Sequence, residues 1–284
     1  MSEKKRTEIT IGADPEYGFI SNGGIVSASG CVRGSEGEFG VDGCGRVAEL
    51  RPPYSTSPTG LVDNIYTVLK NGHAEHEAIR AFRWKAGGMA CDEPIGGHIH
   101  FGHSKLCQGA YQAKLGLALD RTLAVLCLMV EDGEEALNRR IGSNYGSLGG
   151  SSSYRPQTHG VEYRVLASWL TSPEDAKAIL SLAYLIASYF DNEDVMDEAG
   201  SIPGFDNQSF RECDKIGLMY YIPPIIKFIR NLPAYEKYEK EISHLFRLIK
   251  NQKIWACEGD MKETWGLSAV EMKKKTVRKE VELV

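Results

Sequence analysis

The sequence lacks the features of membrane, secreted and disulfide-linked proteins. Its 284 residues contain no stretch close to the roughly 20 apolar residues that a membrane-spanning helix needs. The basic start MSEKKRTEIT is followed by no apolar run, so we expect no secretory signal. The seven cysteines, an odd number without a CxxC pair, fit neither a disulfide framework nor a zinc ribbon and are predicted to be reduced thiols. We therefore expect a cytoplasmic protein without a membrane partner.

Several motifs of nucleotide-binding and hydrolytic enzymes are also absent. The sequence has no GxxxxGK[ST] phosphate loop, no GxGxxG after a strand and no GxSxG elbow, which removes support for kinase, Rossmann and hydrolase folds. The segment from His73 to Glu77 has zinc-binding residue types but does not match HExxH. It is predicted to be a solvated helix face.

The composition is that of an ordinary globular protein, with 42% hydrophobic and 25% charged residues. A formal net charge of -5 predicts no general attraction to nucleic acid or to anionic membranes. The length fits a single domain over residues 1–284, with the chemical motifs in residues 9–170 and a helical part in residues 171–284.

Hydrophobic periodicity separates short strands from longer helices. Strands are predicted at residues 7–11, 17–20, 37–41, 46–50, 97–101 and 161–165, and Asp42-Gly43 indicates an antiparallel hairpin. Helices are predicted over residues 57–82, 106–137, 173–190 and 210–250, the last with breaks at Pro223-Pro224 and Pro233. The tail from Glu271 reads as a surface helix or arm. Segregated strands and helices predict an α+β fold around a mostly antiparallel sheet.

Two pairs of acids lie in the part that is rich in strands. Asp14 and Glu16 alternate on an extended segment, so their carboxylates share a face roughly 7 Å apart, which suits two neighbouring metal ions. A turn at Asp14-Pro15 is the alternative. Asp42 ends one strand and Glu49 lies in the next, so a hairpin could bring both toward one metal. Glu49 could instead form a surface ion pair with Arg51.

Two later strands add imidazoles and guanidinium groups. His98 and His100 alternate within a glycine frame, which places two metal-binding rings on one face and lets a substrate or nucleotide approach the backbone. Glu162 and Arg164 share one strand face, and Arg155 enters from the preceding loop. A metal ligand and a phosphate-binding guanidinium could thus project into one cleft. An exposed salt bridge between Glu162 and Arg164 is the alternative.

In their order along the chain, these motifs resemble those of the glutamine synthetase and glutamate-cysteine ligase superfamily. The most similar branch is its compact carboxylate-amine ligases, the phage-type amidoligases or COOH-NH2 ligases of type 2. The resemblance covers residues 9–170 and implies a glutamine synthetase-like catalytic fold, with a curved, mostly antiparallel sheet and packed helices. Asp stands at positions 14 and 42, where the family more often has Glu. The shorter side chains imply a shifted metal or an intervening water at these positions.

The resemblance also implies a set of ligands. It implies one metal held by Glu16, Asp42 and Glu49, and a second held by Asp14, His98 and Glu162. It further implies that His100, Arg155 and Arg164 contact the nucleotide phosphates or the substrate carboxylate.

The implied activity is ATP-dependent amide formation through an acyl phosphate, with Mg²⁺ or Mn²⁺ as the metal. A small-molecule or peptide carboxylate and an amine are the expected substrates, and a modified nucleobase acceptor stays open. A metal-dependent hydrolase on the same scaffold and a non-catalytic nucleotide- or metal-binding protein are the alternatives. The oligomeric state does not follow from the sequence.

Overall fold

The structure, a computed structural model, describes residues 8–34, 36–143, 145–191, 199–255 and 257–267. The tail from Glu271 lies outside the described residues. The strands are β1 (Thr10–Ser21), β2 (Gly24–Val26), β3 (Phe39–Val41), β4 (Ala48–Leu50), β5 (Arg83–Lys85), β6 (Met89–Ala90), β7 (Glu93–Pro94), β8 (Gly97–Gly102), β9 (Tyr154–Gln157) and β10 (Gly160–Tyr163). The α-helices are α1 (Pro58–Glu75), α2 (Gly109–Leu119), α3 (Val125–Val130), α4 (Gly133–Leu137), α5 (Pro173–Phe190), α6 (Asn207–Arg211), α7 (Lys215–Leu218), α8 (Ile222–Arg230), α9 (Tyr235–Lys250) and α10 (Met261–Thr264).

Eight of these strands form one sheet, and each of its pairings is antiparallel. Its order is β3-β4-β1-β8-β10-β9, with β2 and β5 also paired to β1. Helix α1 packs against β1, β3 and β4, while α5 packs against α1, α2 and α9. The predicted α+β fold, with an antiparallel sheet and packed helices, is confirmed.

Strand β1 is longer than the two short strands predicted for this region, because Asp14 and Pro15 lie inside it. Its first half pairs with β8, and from Glu16 onward it pairs with β4 and β5. Pro15 has no amide proton and is the last residue of β1 that pairs with β8, so it lies where the strand changes partner. The alternative of a turn at Asp14-Pro15 is therefore wrong.

The helix predicted over residues 106–137 is interrupted. A π-helical turn over Asp120–Ala124 joins α2 to α3, and the chain then leaves the helical path at Glu131. The Asp132 side chain accepts hydrogen bonds from the amides of Glu134 and Glu135, each 3.0 Å long, and so caps a new helix, α4. An apolar helical period continues across such a break, which is why the sequence pattern does not reveal it.

The C-terminal helices follow the predicted proline positions. Pro223 and Pro224 lie in the first turn of α8, where a missing amide proton costs no helical hydrogen bond, and Pro233 lies between α8 and α9. Buried apolar side chains of the main sheet and the helices form one continuous cluster. That the chain forms a single domain stays a prediction. Within the described ranges, no helix has the length and apolar character needed to span a membrane.

The segment around His73 and His76 is not the solvated face that the sequence predicts. Both imidazoles are buried. The His73 ring lies edge-on to Trp84, with 5.6 Å between ring centroids, and the His76 ring stacks on Phe39 at 5.4 Å. These rings fill the space between α1 and the sheet, which gives the histidines a structural role.

Gly72 lies on α1 where the helix crosses the Phe39 ring, and a methyl group at this position would overlap that ring. We expect Gly72→Ala to lower the free energy of unfolding by about 2 kcal/mol, because a well-packed interface must shift to accept the extra carbon. Urea denaturation measures this change. Gly133→Ala, at an exposed helix start with open space around it, is the control and should be nearly neutral. An unchanged urea midpoint for Gly72→Ala would contradict close packing of α1 on the Phe39 ring.

Candidate functional site

The predicted site residues lie on neighbouring strands of the sheet in matching register. Asp14 pairs with His98, and Glu16 pairs with Glu49. Glu162 on β10 pairs with His100 on one side and with Arg155 on the other. Directly opposite residues in antiparallel strands point to the same face, so the register gathers these side chains over one patch of the sheet.

Asp14, His98 and Glu162 form the first group of converging side chains. Each offers a ligand atom within 4.8 Å of the others. His98 Nδ1 lies 3.5 Å from Asp14 Oδ1 and 3.9 Å from Glu162 Oε1. Both of these carboxylate oxygens are buried without a hydrogen-bond partner of acceptable geometry. Buried carboxylate oxygens need a positive partner, so this group is suited to a cation.

Glu16, Asp42 and Glu49 form the second group, again with ligand atoms within 4.8 Å of one another. The β3–β4 hairpin brings Asp42 to the pair on β1 and β4, as the sequence predicts, although the turn runs from Asp42 to Val47 and is wider than Asp42-Gly43 alone. Glu16 Oε2 accepts a 2.6 Å hydrogen bond from the Gly96 amide. Glu49 also forms an ion pair with Arg51. The two alternatives from the sequence, an ion pair and a group with Asp42, are therefore both present.

Burial and neighbouring charges determine the protonation of these groups. Burial opposes ionisation of Asp14, but the close polar contacts and charges of His100 and His98 outweigh it and hold the pKa of Asp14 well below its usual range. Burial also opposes a charged His98, yet Asp14, Glu16 and Glu162 raise the pKa of His98. Burial raises the pKa of Glu16 despite the nearby His98 and Gly96 amide. The carboxylates thus lie in a site that favours a compensating positive charge.

The donor set fits a pair of divalent cations. Five carboxylates and one imidazole supply mostly hard oxygen ligands, which suit Mg²⁺ and Mn²⁺. The two groups coincide with the two ligand sets that the family resemblance implies. The geometry supports a metal role for these six residues, and that role stays a prediction.

Gly96 has a second role, which the sequence does not predict. A β-carbon at Gly96 would lie 2.5 Å from the His98 ring. The glycine therefore makes room for the candidate metal ligand itself, and not only for a substrate.

Cationic side chains surround Glu162, which is fully buried. Arg155 Nη2 lies 2.6 Å from Glu162 Oε2, and Arg164 Nε lies 3.2 Å from Oε1. Gln157, which the sequence analysis does not single out, donates a 2.6 Å hydrogen bond to the same Oε2. Arg155 belongs to strand β9 and not to a loop, so the prediction of its local structure is wrong. In the sequence, the alternation of Arg155 and Gln157 around Pro156 is the signal that indicates a strand with both side chains on one face.

His100 faces a cavity of about 450 Å³ beside the first group. Its Nε2 lies 3.1 Å from Asp14 Oδ1, and its Nδ1 lies 3.2 Å from Nε2 of His159 in the β9–β10 turn. Tyr54 and Arg51, from the segment after β4, also line this cavity. The cavity could therefore take a substrate whose reacting group extends to Asp14.

Another group of potential ligands, Glu135, Cys257 and Glu258, is a structural cluster. Lys85 Nζ lies 2.5 Å from Glu135 Oε1 and 3.4 Å from Glu258 Oε1. The second Glu135 oxygen accepts hydrogen bonds from the amides of Gly88 and Met89. The lysine already supplies the positive charge that a metal would bring.

Asp120 is buried behind the sheet, next to the strand that carries Glu162. Its carboxylate accepts hydrogen bonds from the Tyr163 hydroxyl at 2.9 Å and from the Gly149 amide at 3.0 Å. It thereby connects β10 to the glycine-rich segment before β9. Burial raises the pKa of Asp120 to about 6, although these hydrogen bonds oppose the rise.

The raised pKa of Asp120 predicts a measurable dependence of stability on pH. The folded-state value of about 6 exceeds the usual 3.8, so the associated stability is fully present below pH 3.8 and is lost as the pH rises through 6. We expect Asp120→Asn to be more stable than the unmodified protein at pH 7, by up to about 3 kcal/mol, with no such gain near pH 4. Urea denaturation of both proteins from pH 4 to 7.5 measures the difference. A difference that does not vary with pH would contradict this account.

Comparisons with known proteins give a family model that matches most of the chain. The family model described as phage phiEco32-like COOH.NH2 ligase-type 2 matches residues 11–267. No curated protein matches the chain.

Solved structures similar to the chain include the complex between the prokaryotic ubiquitin-like protein Pup and its ligase PafA. That alignment has a TM-score of 0.56 and 11% identity and covers 98% of this chain and 70% of the other. A bifunctional glutathione synthetase from Pasteurella multocida aligns with a TM-score of 0.48 and 10% identity, over 94% of this chain and 49% of the other. At 11% identity, the first likeness shows a shared fold, and the second is too weak to support an argument.

Proposed function

Because the chain belongs to the phage phiEco32-like COOH.NH2 ligase-type 2 family, we propose that it uses ATP to join a carboxylate to an amine at the carboxylate-rich sheet face. The family is one of carboxylate-amine ligases, and ATP dependence is the chemistry of such enzymes. The observation that carries the proposal for this site is the convergence of six candidate ligands into two adjacent groups on one sheet. We further propose that the reaction runs through an acyl phosphate.

Two divalent ions, Mg²⁺ or Mn²⁺, are assigned to the two groups. Glu16, Asp42 and Glu49 would hold one ion, and Asp14, His98 and Glu162 would hold the other. When bound, such ions neutralise the charge of the triphosphate and of the phosphoryl group in transfer. Support comes from Asp14 Oδ1 and Glu162 Oε1, two buried oxygens without a well-aligned hydrogen bond that face the same imidazole nitrogen.

Arg155, Arg164 and His100 are assigned to the anionic groups of the substrates. In the structure both guanidinium groups lie against Glu162, with side chains that are 52% and 32% exposed. A partly exposed guanidinium at the edge of a buried acid can turn toward an arriving phosphate and form two parallel hydrogen bonds. His100 lines the cavity together with Asp14 and could turn a ring N–H from Asp14 to the carboxylate or phosphate of an arriving substrate.

The proposed reaction has two steps. A carboxylate is a poor electrophile, so one of its oxygens first attacks the γ-phosphorus of ATP, and the bond between that phosphorus and the ADP oxygen breaks. The protonated amine loses one proton to water, and its nitrogen then attacks the acyl carbon with the freed lone pair. The carbon–oxygen bond to phosphate breaks, and the departing phosphate takes the second proton from the nitrogen. The products are an amide, ADP and inorganic phosphate, and the arginines stabilise the charge on the phosphoryl group during transfer.

The test is to incubate the purified chain with ATP, Mg²⁺ and pools of carboxylates and amines, followed by mass spectrometry. The proposal predicts a product whose mass equals the sum of one acid and one amine less one water, formed only with ATP and with release of ADP. Omission of ATP is the matched control. Breakdown of a pool member without ATP would overturn the proposal and favour the metal-dependent hydrolase. If ¹⁸O is placed in the carboxylates, its transfer to inorganic phosphate tests the acyl phosphate.

A further inference from the structure

We propose that Arg139 is a positioning residue that acts on Glu16 through the single peptide group between Ile95 and Gly96. Arg139 lies in the segment after α4 and is 1% exposed. The sequence gives no sign of this role, because an arginine next to a helix usually lies on the surface. The meaning of the contact for catalysis rests on the proposed function, whereas the contact itself does not.

One planar peptide group joins the two side chains. Arg139 Nε donates a 3.1 Å hydrogen bond to the Ile95 carbonyl, and the Gly96 amide donates a 2.6 Å hydrogen bond to Glu16 Oε2. The carbonyl of Ile95 and the amide of Gly96 belong to the same peptide bond, and in a trans peptide they point in opposite directions. By holding the Ile95 carbonyl, the Arg139 guanidinium fixes the orientation of this peptide group. The Gly96 amide at its other end is thereby aimed at the Glu16 carboxylate.

The rest of the guanidinium attaches this peptide to the segment just after β10. Arg139 Nη1 donates to the Val165 carbonyl at 2.7 Å, and Nη2 donates to the Leu166 carbonyl at 2.8 Å. The Leu166 carbonyl also accepts the Gly97 amide at 3.0 Å. The planar fork of five donors can hold three carbonyls at once, which a lysine ammonium cannot do in the same geometry. Arg139 thus connects the chain just before β8 to the chain just after β10.

The charge of Arg139 also has a purpose at this position. Burial lowers the pKa of Arg139 to about 10, so the group stays charged at neutral pH. Its contacts are with backbone carbonyls, and its positive charge partly offsets the rise in the pKa of Glu16 that burial causes. A cation on the carbonyl side of a peptide polarises the amide on the other side, and hydrogen bonds in such chains strengthen one another. Glu16 therefore accepts a stronger hydrogen bond, which leaves its other oxygen for the metal.

The chemical shift of the Gly96 amide proton, measured by NMR, reports on these linked hydrogen bonds and requires neither metal nor ATP. A short hydrogen bond to a carboxylate moves an amide resonance downfield. We expect the Gly96 resonance to lie downfield in the unmodified protein and to move upfield in Arg139→Lys, toward its position in Glu16→Gln. Ile242→Ala is the matched control, since it destabilises the fold by removing a buried side chain from α9, which carries none of these contacts, and should leave the Gly96 resonance in place. A Gly96 resonance in Arg139→Lys at the same position as in the unmodified protein would overturn the proposal.

A reciprocal measurement applies if Arg139→Lys does not fold. In Glu16→Gln the Arg139 Nε proton should also move upfield, because the same peptide transmits the loss of the carboxylate charge. An unchanged Arg139 Nε resonance would contradict the proposal. Mn²⁺ binding gives the link to function: we expect about tenfold weaker binding of one ion in Arg139→Lys, the size of effect typical when the support of a ligand is lost. Absence of Mn²⁺ binding in the unmodified protein would refute the proposed function, while the NMR result would still decide the role of Arg139.

Discussion

Glu16→Gln is expected to reduce ATP-dependent condensation about a thousandfold, since a neutral amide cannot replace a carboxylate that neutralises a divalent ion. The substitution is nearly isosteric, and its amide oxygen can still accept the hydrogen bond from Gly96. Glu16 is buried, and burial raises its pKa, so loss of the charge should not lower stability. The rate of ADP release in the presence of the acid and amine pools measures the activity, and a thermal melt measures the stability.

Glu38→Gln provides the matched control for this experiment. Glu38 is exposed directly before β3, so the same change of charge occurs close to the site but outside the candidate ligands. It should retain nearly full activity. If purified Glu16→Gln turns over as fast as the unmodified protein, the assignment of Glu16 to a metal is wrong. If it loses activity only because it unfolds, the melting curve will show this.

Glu131→Gln is expected to lower the free energy of unfolding by about 4 kcal/mol, because it leaves a buried guanidinium without its counter-charge. Glu131 is fully buried, and its Oε2 lies 2.7 Å from Arg140 Nη1, which is equally enclosed. Burial opposes ionisation of Glu131, but the charge and hydrogen bonds of Arg140 outweigh it and lower the pKa of Glu131. Urea denaturation at neutral pH measures the loss.

Two variants make the stability experiment specific. Glu134→Gln removes an exposed acid only three positions along the chain and should change stability little. The double variant Glu131→Leu with Arg140→Met removes both charges and should recover most of the loss, since a buried ion pair and an apolar pair are often close in energy. A double variant as unstable as Glu131→Gln would show that the unpaired charge is not the cause. The pair connects the break between α3 and α4 to the segment after α4, where Arg139 directly precedes Arg140.

The features that the sequence predicts well are those with a local periodic signal. Alternation placed Asp14 with Glu16 and His98 with His100, and the antiparallel hairpin at Asp42 was evident from its turn residues. Taken alone, most of these motifs are equally compatible with a turn or a surface ion pair. Their order along the chain gave the family, and the structure brings the same residues into two groups.

The features that the sequence does not reveal depend on contacts between distant segments. Arg139 and Arg140 look like surface residues, and only the packing of the segment after α4 beneath the sheet buries them. His159 lies in a turn whose approach to His100 depends on the β10–β8 register. At His73 and His76 the polar residue types predict exposure, but His73 in α1 and His76 directly after it pack against Trp84 and Phe39.

The most direct test of the two-metal site is the number of Mn²⁺ ions that the chain binds in the presence of a non-hydrolysable ATP analogue, counted by electron paramagnetic resonance. We expect two ions per chain in the unmodified protein. We expect one ion in Glu16→Gln, which retains the group of Asp14, His98 and Glu162, and one in Asp14→Asn, which retains the other group. Binding of no ion, or the same number in all three proteins, would contradict a site of two metals on this sheet.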